Sequence, residues 1–244
     1  MNTSTDIIPF TYYGDLLGVS NYYRIDADTA YEKLNLFYNQ TYQTLQPLSN
    51  RNDYDLKIFL FSDSLFITGT LLGSTLTHLS YLYSILFQNN LLLRGAVVHG
   101  LLNFDPRMEL KDMVKQLPDS DVLFRAVELE KRNKGARLLM EKKLAHMLLP
   151  KKWYTKEGYY KEPIDPDISK DSILRKIRTT PNWNAYEFLW PLIDIEEFNG
   201  KKIKYYYADY VNKINQLKRI VPEEALLNIK ETRKLFDSLK PELH

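Results

Sequence analysis

The sequence predicts an α+β sandwich, and three observations carry that prediction. Up to residue 140 the segments run strand, helix, hairpin, helix, strand, helix, strand, an order that suits one sheet covered by helices. Residues 91–102 are almost wholly apolar around the single charge of Arg94, as in a central strand covered on both faces. Residues 56–68 read as two strands joined tightly around Ser62, Asp63 and Ser64.

Each element has its own signal. Residues 7–13 are rich in β-branched and aromatic side chains and stop at Gly14 and Asp15, which predicts a strand. Residues 28–45 place Ala30, Leu34, Phe37, Tyr38, Tyr42 and Leu45 at helical spacing. A polar turn at 50–53 leads into the hairpin strands 56–61 and 64–68. A helix over 75–88 ends at Asn89 and Asn90, and the apolar strand 91–102 comes next. The charged stretch 104–119 reads as a loop with room for a short edge strand. Ser120 or Asp121 caps a helix running to about residue 134, which Gly135 ends. Residues 137–140 form a further strand. Beyond Pro150 the composition changes: 151–166 are rich in Lys, Tyr and Pro, 186–195 form a short buried element, and 203–217 and 222–239 form two polar helices. The chain then divides into a folded domain over 1–149 and a mostly helical C-terminal extension over 150–244, used for packing or dimerisation.

Composition removes several classes of chemistry. The 244 residues suit one domain with appendages. With 33 basic against 31 acidic side chains, the net charge of +2 gives no electrostatic argument for a nucleic acid or an anionic membrane as partner. There is no cysteine, hence no disulfide, Cys-based zinc site or thiol nucleophile, and the four histidines (His78, His99, His146 and His244) are scattered. Metal chemistry must rest on carboxylates, which favour hard cations such as Mg²⁺ or Mn²⁺. Residues 65–87 are uncharged and long enough for a bilayer core of about 30 Å. They also hold Gly69, Gly73, His78 and several hydroxyls directly after Asp63, so they read as a buried strand, a turn and a buried helix. Residues 1–8 carry an acid and hydroxyls where an export signal has basic and then apolar residues, so a cytoplasmic protein is expected.

Two acids sit beside apolar runs. Asp15 stands at the mouth of the first strand and Asp63 at the tip of the hairpin. An ionised carboxylate in such surroundings is costly unless it is hydrogen-bonded, paired or holding a metal. If the two strands are neighbours, the carboxylates meet and make a cradle for divalent cations, with Gly14 and Gly18 leaving backbone N–H groups open to a phosphate. Turn capping by both acids accounts for the same pattern. Arg94 needs an anion in its buried strand, and either a phosphate or a structural ion pair with Asp63 or Glu128 meets that need.

Four segments together resemble the class III nucleotidyl cyclases. Residues 10–20 (FTYYGDLLGVS) resemble the first metal-aspartate strand, and 58–66 (IFLFSDSLF) the hairpin with the second metal aspartate. Residues 92–100 (LLRGAVVHG) are similar to the family's Arg-x-Gly-Ile-x-x-Gly strand, and 123–131 (LFRAVELEK) to the helix after it. These motifs look closest to the bacterial pyrimidine cyclases of the Pycsar anti-phage systems. The resemblance covers about residues 7–145 and implies a ferredoxin-like βαββαβ core. It further implies that Asp15 and Asp63 are catalytic and hold two divalent metals, Mn²⁺ or Mg²⁺, in each active site. The backbone carbonyl of Leu16 would complete the second metal site. Phe10, Leu16, Leu17, Gly18, Phe59 and Arg94 would meet a nucleoside triphosphate, UTP or CTP, at the interface of a homodimer.

The departures from that family are specific. Where purine cyclases read the base with a Lys or Glu four residues before the second aspartate, this chain has Phe59; the partner position falls on Leu117. A bulky aromatic there suits a pyrimidine, and an ordinary core aromatic in the hairpin is the other reading. The family's transition-state Asn and Arg correspond to Phe124 and Glu128, which leaves Arg125, Arg132 or Arg137 of a partner chain as substitutes. His99 reads as a satisfied buried histidine.

Overall fold

The computed structural model describes residues 7–49, 55–104, 118–132, 134–148, 177–179, 185–192, 195–198, 201–203, 207–221 and 223–239. In chain order these form β1 (Phe10–Leu16), α1 (Val19–Ile25), α2 (Ala27–Ser49), β2 (Lys57–Phe61), β3 (Ser64–Gly69), α3 (Leu72–Gln88), β4 (Leu93–His99), α4 (Val122–Lys131), β5 (Leu138–Glu141) and α5 (Lys142–Leu148). Then come β6 (Ile177–Thr179), β7 (Ala185–Phe188), a 3-10 turn at Trp190–Leu192, β8 (Ile195–Phe198), β9 (Lys201–Ile203), α6 (Tyr207–Ile220) and α7 (Leu226–Ser238).

The main sheet runs β2-β3-β1-β4-β5-β7-β6, with only the β4–β5 pair parallel. Its first four strands realise the βαββαβ expectation: β3 lies between β1 and β2, and β1 between β3 and β4, so two split crossovers interlock. Alternation along the strands separates two faces. Phe10, Tyr12, Leu16, Leu65, Ile67, Leu93 and Val97 face the large core with α2 and α3, whereas Ala96, Val98 and Leu139 face a smaller one closed by Val122, Ala126 and Leu129 of α4. The α+β sandwich is therefore observed, with helices on both faces. Among the described residues, no helix is long and apolar enough to cross a membrane, and the uncharged stretch 65–87 is β3 followed by α3.

The helix expected over 28–45 stands as α2, the second of two helices, and the short α1 before it was not expected. Asp26 starts the second: its Oδ2 accepts from the Thr29 N–H at 2.9 Å and from the Thr29 hydroxyl at 3.0 Å, which holds its own carboxyl below the usual range. The helix passes through Pro47 in its last turn, where Leu48 is buried. After residue 150 the described elements do not stand apart. β7 pairs with β5, and Trp190, Tyr210, Ile214, Leu217, Ile229 and Phe236 join the large core. Residues 201–203, expected to lead into a helix, are the strand β9, and α6 starts at Tyr207.

Candidate active site

The end of β1 and the tip of the β2–β3 hairpin meet. A two-residue turn, Ser62 and Asp63, joins the paired Phe61 and Ser64, with Ser62 in the left-handed region at φ 53°. The Leu16 N–H donates to the Asp63 carbonyl at 2.9 Å, and Asp15 lies opposite Ser64 on one side and Arg94 on the other. Asp15, Arg94 and Tyr13 therefore share the α4 face of the sheet. The Ser64 hydroxyl lies 3.5 Å from Asp15 Oδ1, and Arg94 Nη2 lies 3.9 Å from Asp15 Oδ2, too far for a direct hydrogen bond.

Charge is unbalanced at this corner. Burial above all, then the Asp63 and Glu130 carboxylates, push the Asp15 carboxyl up to about 6, against the downward pull of Arg94 and Ser64. Such a group lacks cations. Its chemistry, two hard oxygen donors from two elements, fits a divalent ion such as Mg²⁺ or Mn²⁺. Among the described residues no cluster of three or more His, Cys, Asp or Glu forms a protein-only cage.

Arg94 is held by a residue that sequence reasoning missed. Its Nε donates to Oε1 of Glu130, an acid only 2 % exposed on α4. Burial pushes the Glu130 carboxyl up and Arg94 pulls it down. Glu128, one of the two acids considered as its partner, faces outward and pairs with Lys131 at 3.8 Å. Helical period would have found Glu130: Val122, Ala126, Leu129 and Glu130 are the four inward positions of α4.

The remaining expected residues divide. Phe59 lies on the same face as Asp15, two positions along the strand: it pairs with Phe66, whose ring packs 5.0 Å from Tyr13. It is half-buried against Phe104 at 5.4 Å and so belongs to neither buried core. Leu16 buries its side chain and offers only main chain; Leu17 and Gly18 come next in a turn, Gly18 at φ 86°. Phe10 is a correction. Its fully buried ring belongs to the large core, on the face opposite Asp15 and about 17 Å of strand away, so it does not reach the site. Gly14 lies inside the sheet between Leu65 and Gly95, and it makes room for a ring, since a Cβ there would lie 2.0 Å from the Tyr12 hydroxyl. Leu117 lies outside the described residues.

No protein-family model matches the chain, and no curated protein matches it. Solved structures do. The monomeric guanylyl cyclase domain of a RhoGC fusion protein from the aquatic fungus Blastocladiella emersonii, a double mutant, superposes with a TM-score of 0.51 at 7% identity, over 75% of this chain and 93% of that one. The guanylyl cyclase Cya2 gives 0.50 at 9% identity, over 73% and 89%. The chain has the class III nucleotidyl cyclase fold. On this cyclase fold, the two positions matched to the transition-state Asn and Arg lie on the outer side of α4, with Phe124 67% exposed. Of the substitutes, Arg125 is engaged by Glu141 at 2.6 Å and the His99 carbonyl at 2.8 Å, and Arg137 by the buried Glu187 at 2.7 Å. Arg132 is exposed at the end of α4. His99 is half-buried rather than buried, with its N–H donated to Glu141.

Proposed function

We propose that the protein is a pyrimidine nucleotide cyclase, converting UTP or CTP to the 3′,5′-cyclic monophosphate and pyrophosphate. The observation that carries this reading is Asp15 beside the hairpin tip that bears Asp63, under-supplied with cations, on the face that also carries Phe59. Asp15, Asp63 and the Leu16 carbonyl would hold two divalent ions, Mn²⁺ or Mg²⁺. Bound there, the ions supply neutralisation of the triphosphate and a lower cost for the 3′-alkoxide. In the reaction the 3′ oxygen loses its proton and bonds to the α-phosphorus while the bond to pyrophosphate breaks. Leu17 and Gly18 offer main chain to the phosphates, Arg94 sits beside Asp15, and Phe59 narrows the base pocket against a purine. A homodimer completes each site, the product acts as a second messenger in anti-phage defence, and the enzyme works in the cytoplasm.

Parallel incubation with ATP, GTP, CTP and UTP plus Mn²⁺, resolved by mass spectrometry, tests this: one cyclic pyrimidine product is expected. Asp63→Ala should remove turnover without changing the fold; retained activity would sink the two-metal assignment. A second reading, a silent cyclase-fold module that binds nucleotide or a partner, is favoured by Phe124 and Glu128 standing where the family has its Asn and Arg. Saturable Mn²⁺ and nucleotide binding with no product from any of the four would select it.

A further inference from the structure

Arg94 stands between two acids and is shared unequally. Its Nε makes a direct hydrogen bond to Glu130, whereas Nη2 stops 3.9 Å from Asp15. Glu130 is 2 % exposed beside the apolar residues that α4 turns toward the sheet, where a carboxylate without a cation is costly. Asp15 is the more exposed acid, at 27%, and it meets the Ser64 hydroxyl and, at a distance, the guanidinium. Without Glu130, a guanidinium on the neighbouring strand, directly across from Asp15, would close on that carboxylate and neutralise it.

We infer that Glu130 is a positioning residue that withholds Arg94 from Asp15 and so keeps the Asp15 carboxylate open to a divalent cation. This rests on the two-metal reading of Asp15 and Asp63 and adds to it a residue on a different element. A carboxylate in a bidentate pair with arginine has its lone pairs occupied and its charge cancelled; one held at arm's length keeps both for a metal.

Calorimetric titration of Mn²⁺ into the full chain, without nucleotide, tests this alongside thermal unfolding of each variant. Glu130→Gln should bind Mn²⁺ about tenfold more weakly, because the released guanidinium competes for Asp15. Adding Arg94→Gln to it should return the affinity to within about twofold of the natural chain, since the competitor is gone. A purely structural role for Glu130 gives no such recovery, because a second lesion cannot mend a damaged site. Should Glu130→Gln fail to fold, Arg94→Gln alone decides: affinity equal to or above the natural chain supports the inference, and a tenfold loss overturns it. Unchanged affinity in a folded Glu130→Gln also overturns it while leaving the two-metal reading intact. Absence of Mn²⁺ binding by the natural chain removes both.

Discussion

At the scale of single residues, the Asp15 carboxyl gives a test that needs no substrate. Burial and the Asp63 and Glu130 carboxylates push it up to about 6 from an ordinary 3.8. The folded chain therefore holds this proton more tightly than the unfolded one. Stability is full below about pH 4, falls as pH rises, and has lost the whole contribution above about pH 6. Asp15→Asn removes the cost, so without metal it should be more stable than the natural chain by about 1–2 kcal/mol at pH 8, a gain reduced by the partial exposure of the carboxyl, and no more stable at pH 4. Thermal unfolding at the two pH values measures this; equal stability at pH 8 contradicts the strained carboxylate. Gly95 gives a second test. It pairs with Gly14 across β1 and β4, and a Cβ on it would lie 2.6 Å from the Tyr12 ring and 2.7 Å from the Tyr83 hydroxyl; the hydroxyls of these two tyrosines meet at 3.3 Å. Gly95→Ala should cost about 1–3 kcal/mol in urea unfolding, because both buried rings must shift.

At the scale of elements, the sequence was legible where a single physical signal dominates. Two apolar runs around a polar tip marked the hairpin, and an almost wholly apolar run marked the central strand; both stand close to where they were expected, at Lys57–Gly69 and Leu93–His99. Asp15 and Asp63 were legible as charges next to dense apolar sequence. Less legible was anything set by partners far along the chain. Glu130 looks like one more charge in a charged helix until its face is known, and the Arg94 pair spans 36 residues. The strand β7 has no strand-like pattern because it is buried on all four residues, and one of those, Glu187, is an acid kept there by Arg137. That pair makes a prediction about the element: Glu187→Ala leaves the Arg137 guanidinium without its closest carboxylate in a dry setting and should cost about 3–5 kcal/mol in denaturant unfolding. A loss below about 1 kcal/mol means that Glu231, 3.9 Å from the same guanidinium, suffices by itself.

At the scale of the molecule, the expected division at residue 149 meets a core that does not stop there. Segment 135–137, which leads into β5, is held in large part by residues beyond that boundary. The Gly135 N–H donates to Asn228 Oδ1 at 3.2 Å, the Ala136 N–H to the Thr232 hydroxyl at 2.8 Å, and the Ala136 carbonyl accepts from the Trp190 indole at 2.8 Å. The Arg137 carbonyl in turn accepts from the Gly95 N–H at 3.0 Å, one residue from Arg94. Around this sit Phe87 and Phe236 at 5.1 Å, Tyr210 stacked on Phe236 at 4.3 Å, and Tyr83 with Trp190 at 5.5 Å. A chain ending at 149 loses these hydrogen bonds and rings together, and it uncovers one side of α3. It should show no cooperative thermal transition and should bind a hydrophobic dye, and its Mn²⁺ binding should disappear, since β1, which carries Asp15, pairs with β4, and β4 leans on segment 135–137. A milder lesion separates packing from the site. Trp190→Ala in the full chain should cost about 3–5 kcal/mol while leaving Mn²⁺ affinity unchanged at temperatures where it is folded. A truncated chain that unfolds cooperatively within a few degrees of the full one would show that residues 1–149 fold on their own, and would return the later helices to the role of an appendage.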